Sequence, residues 1–129
     1  MATAESLIYR RWVKVTASDQ DGQLIAELPW VGQGDTMVVD SIVLGSTPYA
    51  PCQCFVYLGD IASPPIEQSN NGGLDVFEGS LEVPAGEALI FSWTGEVGAS
   101  VLTARVHFSL YEVKQVPITG PLTTWRGPR

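Results

Sequence analysis

Apolar and polar side chains alternate without interruption from residue 102 to residue 111 of this 129-residue chain. A period of two places the two sets on opposite faces of a β-strand, so that one face is buried and the other meets water. The stretch therefore predicts a half-buried strand of an antiparallel sheet. The inward set is Leu102, Ala104, Val106, Phe108 and Leu110, and the outward set is Thr103, Arg105, His107, Ser109 and Tyr111.

The rest of the chain is also typical of an all-β protein. Its 13 glycines and 9 prolines separate short runs rich in Val, Ile, Thr and aromatic residues, and no window has a capped helical repeat. We predict strands at 7–17, 23–28, 36–45, 52–59, 80–84, 87–94 and 100–114. A DQDG run at 19–22 predicts a hairpin turn between the first two strands, and an NNGG run at 70–73 predicts a second turn. The segment 61–78 is predicted to be a long loop or a crossover between sheets.

These strands and corners predict an all-β fold, a two-sheet antiparallel β-sandwich of the jelly-roll type. The sandwich domain is predicted at 1–115, and residues 116–129 are predicted to form an extended C-terminal arm. In the strand at 87–94, Leu89, Phe91 and Trp93 are predicted to face the core, with Ser92 and Thr94 on the opposite face.

The charge balance bears on possible partners. The chain has 7 Lys and Arg against 14 Asp and Glu, a net charge of −7, whereas binding to nucleic acid needs clustered basic residues. No apolar run reaches the roughly 18 residues of a membrane helix, and the N-terminus has no secretory pattern. We therefore expect synthesis in a cytoplasm and neither a nucleic-acid nor a membrane partner. Charged residues make up only 16% of the chain, which fits contact with other proteins but is also found in small β domains.

Both cysteines of the chain, Cys52 and Cys54, lie two residues apart in a predicted strand. They point to the same face with parallel side chains, so a disulfide between them is geometrically poor. A structural zinc site needs four ligands, and the chain adds a single histidine, His107, on another strand. Packing in the core is the favoured interpretation. A disulfide with another chain and a metal or redox role remain alternatives.

No set of side chains predicts catalysis. Ser109 shares a strand face with His107, but a triad needs a hydrogen-bonded nucleophile, base and orienting group, so an exposed strand histidine is favoured. Asp19, Asp21 and Gly22 resemble part of a calcium loop without its remaining ligands, and turn chemistry explains them. We therefore predict no catalytic residue, no cofactor and no metal ligand. Four acidic residues of the long loop form either a carboxylate cluster or a solvated surface: Asp60, Glu67, Asp75 and Glu78.

The aromatic residues leave a binding function open. Carbohydrate-binding β-sandwiches use exposed Trp and Tyr side chains as platforms, with Asp, Asn and Gln nearby. Alternation places Trp93 in the core, whereas Trp12 shares a face with Ile8, Arg10 and Lys14 and is predicted to point outward. Binding of a host glycan is therefore the alternative to packing in a core or an interface.

The C-terminal segment 116–129 has three prolines and two glycines and does not fit a helix. It nevertheless keeps apolar residues at intervals that suit an extended arm docked on its own domain or on a neighbouring subunit, with Trp125 as the anchor. A frayed terminus is the alternative. The residues predicted to bind partners are Ile118, Leu122, Trp125, Arg126 and Arg129, with the two arginines pairing with acidic surface.

Two stretches of the chain together form a recognisable pattern: VVDSIVLGSTPYAPCQCFVYLGD, from residue 38, and LDVFEGSLEVPAGEALIFSWTGEVGASVLTARVHFSLYEV, from residue 74. They resemble small virion proteins of tailed bacteriophages, in particular minor tail proteins of phages that infect actinobacteria. The motifs that carry the resemblance lie at 56–60, 81–95 and 98–108. The first 35 residues and the tail lie outside the resemblance, which leaves the position in the particle open.

The resemblance implies a non-enzymatic structural protein of the virion, made in the host cytoplasm. Its partners would be other virion proteins, with the chain acting as a homo-oligomer or as a subunit of a larger assembly. A minor tail protein, a component of the tail tip and a component of the capsid surface are all compatible with it. No catalytic residue carries over.

Overall fold

The computed structural model of the chain describes residues 2–20, 23–28 and 35–116. Within these ranges every regular element is a β-strand, and no helix is present that is long and apolar enough to cross a membrane. The strands are β1 (Ala2–Thr16), β2 (Ser18–Gln20), β3 (Gln23–Leu28), β4 (Asp35–Thr47), β5 (Cys52–Leu58), β6 (Glu67–Ser69), β7 (Leu74–Val83), β8 (Leu89–Gly95) and β9 (Val101–Val116).

The strands form two antiparallel sheets. Sheet A has the strand order β1-β9-β4-β7, and sheet B has the order β2-β3-β8-β5-β6. Every pair of neighbouring strands runs antiparallel. The predicted all-β fold with two antiparallel sheets is therefore confirmed.

The buried side chains of both sheets form one hydrophobic core. β9 contributes the inward set predicted from its alternation, and β8 contributes Leu89, Phe91 and Trp93, also as predicted. Alternation identifies these faces because each strand is buried on one side by the opposite sheet. The other core residues of β3, β4 and β5 include Ala26, Leu28, Met37, Val39, Ile42, Leu44, Cys52, Cys54 and Val56.

The partner of the first strand differs from the prediction. The DQDG run does join two paired strands, but they are β2 and β3, with Gln20 opposite Gln23. β1 instead pairs with β9 along its whole length. Ala17 separates β1 from β2, and its N–H donates to the Leu102 carbonyl at 2.9 Å. The chain therefore changes sheets at Ala17 before it reaches the turn.

The segment 61–78, predicted to be a long loop or a crossover, does cross from sheet B to sheet A, but it is not a loop throughout, because it contains β6 and the first half of β7. β6 has only three residues, which is too short to produce an alternating pattern. β7 is an edge strand that pairs with β4 alone, and its Leu74 and Val76 point to solvent rather than to the core. Because these two apolar side chains are exposed, the sequence around them does not show the pattern of a strand that packs in the core.

A β-bulge in β4 determines which side chains face outward near the centre of sheet A. The register of β4 shifts between Val39 and Ser41 against both of its neighbours. Val39 and Ile42 remain buried, which leaves Asp40 as the extra residue. Both Asp40 and Ser41 are therefore on the outer side of the sheet, beside His107 of β9.

Candidate functional site

The two cysteines are interior residues of β5. Both are free and buried in the core cluster. Burial raises the pKa of the Cys54 thiol to about 12, and Cys52 beside it adds to the shift. Burial also raises the pKa of Cys52. Both thiols are therefore protonated at neutral pH, and a protonated thiol is neither a good nucleophile nor a metal ligand.

The outer face of sheet A, the face turned away from the core, exposes large apolar side chains on three of its four strands. Trp12 on β1 is 53% exposed, and Leu74 and Val76 on β7 are 62% and 51% exposed. Leu7 on β1 and Val101 on β9 share this face and are 47% and 52% exposed. Five large apolar side chains are therefore exposed on one face of one sheet, with charged residues such as Lys14 and Arg105 between them.

A polar network crosses the middle of this face. The Trp12 ring stacks on the His107 ring with 4.8 Å between their centroids. His107 Nδ1 lies 3.6 Å from Asp40 Oδ2, which also accepts a hydrogen bond from Ser109 Oγ at 3.4 Å. Arg10 Nε in turn donates to Ser109 Oγ at 3.2 Å. The network joins β1, β9 and β4 and fixes the ring on which Trp12 rests.

Ser109 was predicted to be outward and polar, and the structure corrects part of that prediction. Its side chain does lie on the outer face, but it is buried. Arg10 and Asp40, from the two neighbouring strands, hydrogen-bond to its hydroxyl. Because the hydroxyl donates to Asp40 rather than to His107, the two residues do not form a nucleophile and base pair.

The four acidic residues of the predicted loop are not gathered around one point: Glu67 and Glu78 line one cleft at the β7 edge, whereas Asp60 and Asp75 do not. Asp60 accepts a hydrogen bond from the Ala62 N–H at 2.8 Å, and Asp75 is hydrogen-bonded to the Ser69 hydroxyl. Across residues 2–20, 23–28 and 35–116, no group of three or more His, Cys, Asp or Glu side chains is placed to hold a metal ion.

A cleft of about 190 Å³ opens where β4 and β7 approach the segment before β6. Its apolar walls include Ile42, Phe77 and Ile66, and its acidic side chains are Asp40, Glu67 and Glu78. The bulge at Asp40 and the irregular pairing opposite it leave this space unfilled. The cleft lies at the β7 edge of sheet A.

The exposed aromatic residues do not share one platform. Tyr49 lies in the connection between β4 and β5, where its hydroxyl donates to Asn71 Oδ1 at 2.8 Å. The Gln53 and Gln68 amides both donate to Asn70 Oδ1 at 3.3 Å on the neighbouring surface. Trp12 lies on sheet A, opposite His107. A surface with amides and an aromatic ring therefore exists, but Trp12 does not belong to it.

The predicted partner-binding residues of the arm lie outside the described residues and stay predictions: Ile118, Leu122, Trp125, Arg126 and Arg129. Asp21 and Gly22 of the suggested calcium loop lie outside them too. Sequence reasoning found Trp12 but missed Leu74 and Val76 on the same face. Their alternation with Asp75 is the available signal, but it lies in the segment predicted to be a loop or a crossover.

Comparison with protein-family models, with curated proteins and with solved structures finds no match to this chain.

Proposed function

We propose that this chain is a non-enzymatic structural protein of a tailed-phage virion, a minor tail or tail-tip component or a component of the capsid surface. It acts by assembling with other virion proteins or with copies of itself. The outer face of sheet A carries the proposal, because Leu7, Trp12, Leu74, Val76 and Val101 are all about half exposed or more on one sheet. A surface of that kind is stabilised when another protein covers it.

We further propose that the fold is a jelly roll with an extended arm at 116–129. The chain alternates between the sheets: β1 is in sheet A, β2 and β3 are in B, β4 is in A, β5 and β6 are in B, and β7, β8 and β9 follow in A, B and A. Such alternation supports a double Greek key, the arrangement found in viral capsid and lectin domains.

In this proposal the arm and the sheet face act together. Ile118, Leu122 and Trp125 insert into a neighbouring subunit, and Arg126 and Arg129 pair with its acidic surface. The acidic excess of the chain supports that pairing, since the net charge is −7. A standard interface buries about 1,600 Å² in total, and an arm of this length supplies a substantial part of that area.

Deletion of residues 117–129 tests this mechanism. The core ends at Leu110, so the shortened chain keeps every buried residue of the described part and is expected to fold. We expect the full-length protein to form an oligomer and the shortened protein to sediment as a monomer at the same concentration. Trp125→Ala in the full-length chain removes the proposed anchor without shortening the chain, so it controls for the change in length. An oligomer of unchanged size after the deletion would show that the arm plays no part in assembly.

The second candidate function is binding of a host glycan. Trp12 supports it, because an exposed ring stacked on His107 beside Arg10 and Asp40 offers both a platform and hydrogen-bonding groups. A glycan array with the intact protein and with Trp12→Ala tests this function. Binding that is lost in the variant would favour it over assembly alone, and a folded protein with no signal leaves it without support.

A further inference from the structure

The two edges of sheet A carry opposite charge. Every Lys and Arg between residues 2 and 116 lies on β1 or on the neighbouring strand β9. The charged residues of β4 and β7 are all acidic. The basic residues are Arg10, Arg11, Lys14, Arg105 and Lys114, and the acidic residues of β4 and β7 are Asp35, Asp40, Asp75, Glu78 and Glu82. β1 and β7 are the outermost strands. β1 also contains Glu5, so its three basic residues leave a net charge of +2, against −3 for the three acidic residues of β7.

Both edge strands have one unpaired side within the described part of the chain. β1 pairs only with β9, and β7 pairs only with β4. The N–H and C=O groups on the free side of an edge strand are a template for pairing with another chain. Opposite charges across such a pair stabilise it, whereas like charges destabilise it. Pairing of β1 with a second β1, or of β7 with a second β7, is therefore disfavoured, and pairing of β1 with β7 is favoured.

We propose that copies of this chain assemble edge to edge, with β1 of one copy paired to β7 of the next, so that sheet A continues from subunit to subunit. This inference rests on the proposal that the protein acts by assembly. β1 and β4 run in one direction, and β9 and β7 run in the other. A second copy in the same orientation therefore presents its β1 antiparallel to β7, which continues the pattern of the sheet.

The spacing of the charged residues on the two edges matches. Arg10 and Lys14 lie four residues apart on the outer face of β1, and Glu78 and Glu82 lie four apart on the outer face of β7. An antiparallel register that sets Arg10 opposite Glu82 therefore sets Lys14 opposite Glu78. All four side chains are exposed. Lys14, Glu78 and Glu82 form no ion pair with another described residue.

The same register provides room for the exposed tryptophan. Trp12, midway between Arg10 and Lys14, then lies opposite Ser80. Ser80 and Gly79 are small and exposed, and a Cβ built on Gly79 meets no atom within 4 Å. The large ring of β1 thus faces the open part of β7. The contact joins two different edges, so it repeats from copy to copy and builds a ring or a filament rather than a closed dimer.

Charge reversal in the full-length protein tests the contact by sedimentation velocity at low salt. We expect Lys14→Glu alone and Glu78→Lys alone each to weaken self-association about tenfold, because an attractive cross-strand pair becomes a repulsive one. The chain that carries both changes is expected to associate to within about threefold of the unchanged protein. An equimolar mixture of the two single variants is expected to co-assemble as well. Glu27→Lys, an identical charge change on sheet B, is expected to have no effect.

Several results would overturn the edge contact. The first is a doubly changed chain that self-associates as weakly as the single variants. The second is a Glu27→Lys variant that loses as much self-association as they do. The third is an unchanged protein that is monomeric at every concentration. Circular dichroism establishes that each variant folds, and Arg10→Glu with Glu82→Arg provides a second, independent swap if Lys14→Glu does not fold. Assembly that is insensitive to all these changes but lost without residues 117–129 would overturn the edge contact and leave the proposed function standing.

Discussion

Trp93→Ala is expected to lower the free energy of unfolding by about 4 kcal/mol, a large fraction of the stability of a domain of this size. Trp93 is 2% exposed and is one of the largest buried side chains in the described part of the chain. Its ring lies 6.1 Å from that of Phe91, and its indole N–H donates to the Gly72 carbonyl at 3.0 Å. Removing it leaves a cavity between the sheets and an unpaired buried carbonyl.

Two variants separate these contributions, with urea denaturation as the measurement. Trp93→Phe keeps an aromatic ring but loses the donor to Gly72, so we expect a smaller loss of about 2 kcal/mol. Trp12→Ala removes the same side chain from a half-exposed position and is expected to cost only about 1 kcal/mol, mainly through the lost stacking on His107. Equal effects at the two tryptophans would contradict the placement of Trp93 in the core and of Trp12 on the surface.

Gly73→Ala is expected to cost about 3 kcal/mol, because the new methyl group has no space. A Cβ on Gly73 would lie 2.1 Å from the carbonyl oxygen of Ala50 and 3.1 Å from the Ser46 hydroxyl oxygen. The Ala50 contact is with backbone, which cannot rotate away. The neighbouring Gly72 N–H donates to the Cys52 carbonyl at 2.7 Å, so the turn before β7 is held against the start of β5.

Gly45→Ala is the matched control for this substitution. Gly45 lies in β4, and a Cβ there would meet only the Thr103 hydroxyl oxygen at an ordinary 3.7 Å. We expect this variant to unfold at the same urea concentration as the unchanged protein or slightly above it, because alanine has less freedom to lose than glycine. If the Gly73→Ala variant unfolds at the same urea concentration as Gly45→Ala, the turn at 70–73 does not lie as close to β5 as described.

The inward faces of the central strands could be predicted from sequence because burial by the opposite sheet leaves a period of two in the residues themselves. β8 and β9 show this, and so does β5, where it places Cys52 and Cys54 in the core. The strand predicted at 80–84 covers the second half of β7, but the first half could not be predicted in the same way, since Leu74 and Val76 face solvent at the edge of a sheet. The alternation within one strand shows which of its faces is apolar, but it does not show whether another part of the protein packs on that face.

The pairing of strands that are distant in the chain could not be predicted from the sequence, for a different reason. β1 pairs with β9 across almost the whole chain, and nothing local distinguishes that partner from the nearby β3. Trp12 was predicted to face outward from its own neighbours, and it does, but its stacking on His107 depends on the long-range pairing. The burial of Ser109 could not be predicted either, because the side chains that contact it come from β1 and β4.

The central proposal is that other virion proteins cover this chain. Quantitative mass spectrometry of purified phage particles, before and after a high-salt wash, measures this directly. We predict that the chain is present in a fixed number of copies per particle and that the number survives the wash, because the proposed assembly would bury Trp12 and Leu74, which are exposed in the isolated chain. A chain that is abundant in the lysate but absent from the particles would contradict the claim.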